Sequence, residues 1–278
     1  MTKPNFIGIG VQKGGTSWLH KQFVAHPEIF IPADRKEIHF FDIYFDRGVE
    51  WYLKFFKGAE SKAVGEITPS YIYDEATAQR LYDSFPDAKL IVMLRHPVER
   101  AYSHYRMTFQ SGEGQKYKDF DDFMTRHEHT FKRGLYAQQI ERWFSFFSKE
   151  QFLFLVSEDI FSGDHETAFK QVGDFLDVNP DLFDRELATA PVGKARPAPR
   201  FPVLANVAQK ARILLRDLNL DFIASFLKKI GVTRSIFGKH GQPIPPLTDE
   251  IKAKWLAAYK EDIEAIEKLL GRSFNSWM

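Results

Sequence analysis

Short apolar runs alternate with amphipathic stretches along this chain, the pattern that builds βαβ units around a parallel sheet. Residues 5–11 (NFIGIGV) are an apolar run that predicts the first strand, and 16–26 (TSWLHKQFVAH) predicts its helix, stopped by Pro27. Residues 62–67 (KAVGEI) predict a second strand and 89–95 (KLIVMLR) a buried central one. A helix opens after the central strand at Pro97, where a missing N–H costs nothing. Residues 151–160 (QFLFLVSEDI) predict a fourth strand, and helical spacing recurs over 75–83 and 135–147. The last helix, 249–270, has Thr248 as its N-cap, acids in its first turn and Gly271 as its stop. The expectation is one α/β domain over 1–278, a three-layer fold with a central parallel sheet flanked by helices.

One stretch breaks the alternation. A proline-rich linker at 190–202 leads into an amphipathic helical pattern at 204–231, with apolar residues at 207, 211, 214, 215, 218, 222, 226 and 230. This insertion, about 190–235, reads as a lid packed over an acceptor cleft. Its cations Lys210, Arg212, Arg216, Lys228 and Lys229 also suit a peripheral membrane contact with anionic lipid.

Composition narrows the classes. Lys and Arg number 38 against 37 Asp and Glu, so no basic excess points to a nucleic-acid partner. The absence of cysteine excludes disulfides and thiolate metal sites. No apolar run reaches the roughly 18 residues of a membrane span, and a strand-like run starts too early to leave room for a signal peptide. A cytoplasmic protein is expected. The 27 phenylalanines predict a heavily aromatic core. The two histidines of 126–129 (RHEH), like His20 and His165, are expected to be solvated rather than metal-bound.

The candidate chemistry begins at 6–19 (FIGIGVQKGGTSWL). Gly10 and Gly15 have the separation of a Walker A loop, but position 16 is Thr and the lysine comes early, at Lys13. A glycine-rich loop between strand and helix lets backbone N–H groups and the helix N-terminus meet an anion. Lys13, Thr16 and Ser17 add an ammonium and two hydroxyls to that anion site. A second element, 90–105 (LIVMLRHPVERAYSHY), ends a buried strand in Arg95, where α/β sheets bind ligands, and continues through Arg100 to Ser103. A guanidinium there suits bidentate phosphate recognition, whereas Arg100 is expected to pair with acids such as Glu99. A third element, 35–42 (RKEIHFFD), gathers Glu37, His39 and Asp42 beside Phe40 and Phe41. It reads either as a polar turn before a hydrophobic anchor or as a loop carrying a general base.

In this order, the three elements resemble the sulfotransferases that use 3′-phosphoadenosine 5′-phosphosulfate (PAPS). GVQKGGTSWL is similar to their 5′-phosphosulfate loop and LIVMLRHPVERAYSHY to their 3′-phosphate strand and helix. KEIHFFD, RGVEWYLKFF (47–56) and GEITPSYIY (65–73) resemble the glycosaminoglycan branch, which includes the heparan sulfate enzymes. The likeness covers roughly 5–190 and resumes from about 238. It implies a P-loop-like fold and transfer of a sulfuryl group from PAPS to an acceptor hydroxyl, with carbohydrate favoured. The product would be the 3′,5′-bisphosphate (PAP), and no metal would be required.

By that resemblance Lys13 contacts the bridging oxygen, while Gly14, Gly15, Thr16 and Ser17 cradle the 5′-phosphate. Trp18 flanks the adenine, and Arg95 and Ser103 hold the 3′-phosphate. Glu37 matches the catalytic base, with His39 and Asp42 on the acceptor side; Glu66 joins the candidate acceptor-side residues, and His39 and Glu66 are the competing candidates for the base. Lys239 and Gly241, in 238–243 (GKHGQP), belong to a loop that closes over the nucleotide. Ile67 stands where glycosaminoglycan members often carry lysine, a departure that bears on the acceptor. The rival readings are a P-loop kinase or NTPase, which needs lysine at 16 and a Walker B acid, and a non-catalytic nucleotide-binding protein docked on a membrane.

Overall fold

Five strands, all paired in parallel, form one sheet in the order β2-β3-β1-β4-β5. They are β1 (Phe6–Gly10), β2 (Ile29–Phe30), β3 (Ala63–Ile67), β4 (Lys89–Leu94) and β5 (Phe152–Val156). β1 and β3 are buried at every position, as strands covered on both faces must be. This is a computed structural model, and it describes residues 2–33, 35–111, 113–190, 207, 211 and 243–277.

The described helices are α1 (Thr16–Ala25), α2 (Val49–Leu53), α3 (Thr77–Ser84), α4 (Pro97–Gln110), α5 (Phe120–Arg126), α6 (Glu128–Lys132), α7 (Tyr136–Phe144), α8 (Ser157–Phe161), α9 (His165–Leu176), α10 (Arg185–Thr189) and α11 (Asp249–Leu270). The chain divides into two compact units. The first comprises Met1–Arg100, Leu135–Val192 and Tyr259–Met278, and it holds the sheet. Its core joins Phe6, Phe23, Ile67, Ile91 and Leu155 to Phe169 and Val172. Asp262 binds the N–H groups of Tyr136 and Ala137 at 2.7 and 3.0 Å, filling the cap that α7 lacks locally.

The second unit takes its described residues from within Ala101–Gly134 and Gly193–Ala258. There Asp119 caps α5 through the Asp122 N–H, and Asp121 accepts from Lys254 and the Trp255 indole. The linker from 191 to 202, most of the 204–231 helix pattern, and Lys239 and Gly241 lie outside the described residues.

Several expectations shift. The apolar run at 151–160 is a strand only to Val156; from Ser157 it is helix, because Glu158 and Asp159 suit a helical first turn. A two-residue edge strand, β2, follows Pro27 and was too short to show a period. The last helix starts and stops as its caps predict: the Ile251 N–H donates to Thr248 Oγ1 at 3.3 Å, and Gly271 has φ 62°. Of the histidines expected in solvent, His129 is exposed and the others are packed. His127 stacks on Phe123 at 4.9 Å, His165 lies against Trp18 at 5.9 Å, and burial lowers the pKa of His20.

Candidate active site

The loop between β1 and α1 is fixed by close backbone packing. A Cβ on Gly14 would lie 2.2 Å from the Met93 carbonyl oxygen, so only glycine lets the loop rest on β4. That close approach is to the sheet; the sequence had suggested only closeness to a ligand. Gly15 caps α1 at φ 97° and Lys13 sits at φ 72°, both left-handed. Ser157 Oγ donates to the Gly14 carbonyl, and Arg95 Nη1 donates to the Lys13 carbonyl at 3.3 Å. No side chain caps α1 and no acid occupies its first turn, so the positive end of the helix is available to an anion.

The segment from Arg35 to Asp42 lies against this loop. Lys36 Nζ donates to Ser17 Oγ at 2.9 Å, to Thr16 Oγ1 at 3.4 Å and to Glu37 Oε1 at 3.2 Å. His39 bridges two carboxylates: Nε2 is 3.4 Å from Glu37 Oε2 and Nδ1 is 3.0 Å from Asp42 Oδ2. Ser70 Oγ donates to the same Asp42 oxygen at 2.6 Å. Glu37, His39 and Asp42 therefore meet, as expected. Ile38, Phe40 and Phe41 are fully buried, with Phe40 stacked on Tyr52 at 4.7 Å. The segment is a hydrophobic anchor whose polar residues are interleaved with its apolar ones. His39 achieves this at φ 59°.

Electrostatics follow from these contacts. Burial pushes the Glu37 carboxyl up, but His39 and Lys36 outweigh it and bring it to about 2. Burial pushes His39 down, but Asp42 and Glu37 raise it to about 9, an imidazolium at neutral pH. Asp42 stays below the ordinary carboxylate value because His39 and Ser70 overcome its burial.

Other predicted residues sit differently. Trp18 is 2% exposed; its indole donates to the Ala188 carbonyl at 3.1 Å and its ring stacks on Phe169 at 5.8 Å. A ring enclosed in this way offers no face to an adenine, so it belongs to the core. Glu66 is fully buried with four protein donors on its carboxylate, and does not present itself to a substrate. The arginines exchange roles. Arg95 Nη2 lies 3.8 Å from Glu99, while Arg100 is fully buried and hydrogen-bonds Tyr259. Ser103 is a half-buried residue of α4 in the second unit.

The sequence reading passed over Lys36, Thr68, Ser70 and the two tyrosines, Tyr52 and Tyr71. Lys36 had a signal: a cation directly before a candidate base. The others lay in quoted segments, but nothing local showed that they turn toward 37–42.

A parallel sheet in this order, with a glycine-built loop after β1 and an arginine directly after β4, defines an α/β protein of the P-loop-like kind. Residues 3–193 match the sulfotransferase domain family, and the chain belongs to it. It is 31% identical over 248 residues to mouse heparan sulfate glucosamine 3-O-sulfotransferase 6, covering 79% of this chain and 70% of that protein. A 111-residue stretch, 38% of the chain, is 44% identical to the Dictyostelium discoideum membrane-associated sulfotransferase kil1. The chain spans 23% of that protein and 54% of human heparan sulfate glucosamine 3-O-sulfotransferase 6. Among solved structures, a sulfotransferase from Alicyclobacillus acidocaldarius superposes with TM-score 0.72 at 24% identity, covering 100% of this chain and 99% of that one. That likeness establishes the fold.

Proposed function

We propose that the protein moves a sulfuryl group from PAPS to an acceptor hydroxyl, with a carbohydrate as acceptor and PAP as the second product. The observation that carries this reading is the Lys36 ammonium, which touches both hydroxyls at the head of α1 and the Glu37 carboxylate. A donor anion on α1 and a base for the acceptor would thus be neighbours, as in-line transfer requires. Family membership supports the donor class. The heparan sulfate enzymes among the relatives support the acceptor class.

In this mechanism Gly14, Gly15, Thr16 and Ser17 bind the 5′-phosphate, and Arg95 takes the 3′-phosphate. Lys13 stabilises charge growing on the bridging oxygen. Lys13 and the positive end of α1 supply that field, so no metal is required. Glu37 accepts the acceptor's proton, while His39, held by Asp42, orients Glu37 and the incoming hydroxyl. At about 2 the Glu37 carboxyl is ionised but weakly basic. An anion arriving at Thr16 and Ser17 competes for Lys36, and loss of that ammonium raises the proton affinity of Glu37 as the acceptor's proton is released.

The test is calorimetric titration with PAP and with AMP, beside transfer of labelled sulfate from PAPS to a panel of sugars and other alcohols. PAP should bind more tightly than AMP by about 1.5–3 kcal/mol, the worth of a charge-assisted contact. Equal affinities would overturn the donor; label appearing only on lipid or polyketide-type alcohols would overturn the acceptor.

A further inference from the structure

We infer that the buried Glu66 carboxylate aims the active-site segment, a positioning role reached through the backbone N–H groups of residues 38–41. The Ile38 N–H donates directly to Glu66 Oε2 at 3.4 Å. The His39 N–H donates to Thr68 Oγ1 at 3.3 Å, and that hydroxyl donates to Glu66 Oε2 at 2.6 Å. The Phe40 and Phe41 N–H groups donate to the Tyr71 hydroxyl at 2.8 and 3.4 Å, which donates to Glu66 Oε1 at 2.8 Å. Tyr52 completes the set, donating to Oε1 at 3.2 Å. Four consecutive backbone donors therefore end on one carboxylate, directly or through a single hydroxyl.

The polarity of this network runs one way. The Thr68 and Tyr71 hydroxyls accept from the segment and donate to Glu66, and Tyr52 donates there too, so the residue must be an acceptor at both oxygens. A glutamine would turn an NH₂ toward two donors and leave buried donors unpaired. Ile38, Phe40 and Phe41 are separately held by apolar packing. What the network adds is the orientation of the peptides that carry Glu37 and His39, not the anchoring of the loop. Burial pushes the Glu66 carboxyl up to about 7, against the donors that draw it down. The acidic and basic groups around it are the Tyr52 and Tyr71 hydroxyls and His39, beside Asp42 and Glu37.

The inference rests on the reading that Glu37 is the base, and the experiment separates the two. Glu66→Gln should lower kcat about 10²-fold, the cost of a misplaced reacting group, while PAP affinity stays unchanged. The wild-type pH–rate profile should carry an acid limb near 7, where Glu66 gains a proton and ceases to accept at both oxygens, and that limb should be gone from Glu66→Gln. Wild-type kcat and an acid limb retained in the variant would overturn the role, as would a loss of PAP affinity equal to the loss of turnover. If Glu66→Gln does not fold, Thr68→Val and Thr68→Ser decide the matter. Loss in the valine variant with recovery in the serine variant supports the role; equal activity in both overturns it. Glu37→Gln is assayed alongside. If it stays active, the base assignment falls; if it is dead while Glu66→Gln is normal, only the positioning role falls.

Discussion

The loop at 10–17 and the segment at 36–42 lie in contact through Lys36, yet they are held in place by opposite means. Backbone packing shapes the first: Gly14 sits where no Cβ fits against Met93, and Gly15 and Lys13 are left-handed. Side chains from far along the chain shape the second: Glu66, Thr68, Ser70 and Tyr71, all some thirty residues on, hold its N–H groups and Asp42. An anion cradle can be written locally because backbone amides supply it. A base needs an environment that sets its aim and its proton affinity, and distant residues must supply that.

The largest effect should come from breaking the side-chain half. Glu37→Gln keeps the shape and removes the proposed base, and should reduce turnover about 10²–10⁴-fold with PAP binding nearly unchanged. Steady-state assays paired with calorimetry measure both. Activity near wild type would pass the role to another group, with His39→Ala as the comparison. Next in size, Lys13→Ala should reduce turnover about 10²–10³-fold, more than it weakens PAP, because charge on the bridging oxygen develops only as the bond breaks. Equal losses in turnover and PAP affinity would show a ground-state contact only.

A smaller effect isolates the backbone half. Gly14→Ala puts a Cβ 2.2 Å from a carbonyl oxygen, so the loop must lift from β4. Overpacking of this kind costs about 1–3 kcal/mol. Thermal unfolding should show a lower Tm, and PAP affinity should fall with it. An unchanged Tm would mean that the loop tolerates the displacement.

This contrast also explains what the sequence made legible. The strand, loop and helix at 6–17 could be read from FIGIGVQKGGTS because glycine spacing encodes the turn locally. The central strands and the capped helix α11 were legible for the same reason. Glu37, His39 and Asp42 were visible as a cluster, but not their electrostatics, since Ser70 and the Lys36 contacts arise only on folding. Trp18 misled because its position beside the loop matched an adenine contact, whereas helical geometry turns it into the core against Phe169. Glu66, expected on the acceptor side, is enclosed by the fold instead.

The smallest effect sharpens the comparison without breaking either half, because it is read as a titration and not as lost turnover. His39 is held at about 9 by Asp42 and Glu37 against an ordinary value of 6.5. A folded-state value above the unfolded one means that the His39 contribution to stability is complete below pH 6.5. It is lost as pH rises through 9. Histidine ring signals followed by NMR should therefore show one imidazole titrating near 9 in the wild-type protein. In Asp42→Asn that midpoint should drop, since the carboxylate contact at 3.0 Å is gone and burial opposes the charge. Glu37 runs the other way: held at about 2, its contribution is present above its ordinary value near 4.5 and disappears as pH falls toward 2. Denaturant titrations across pH should thus show a wild-type plateau between about 4.5 and 6.5, and in Asp42→Asn the alkaline loss of stability should be smaller and end below pH 9. A His39 midpoint near 6.5 in the wild-type protein would mean that the carboxylates do not grip the ring in solution, and the side-chain half of the site would lose its electrostatic basis.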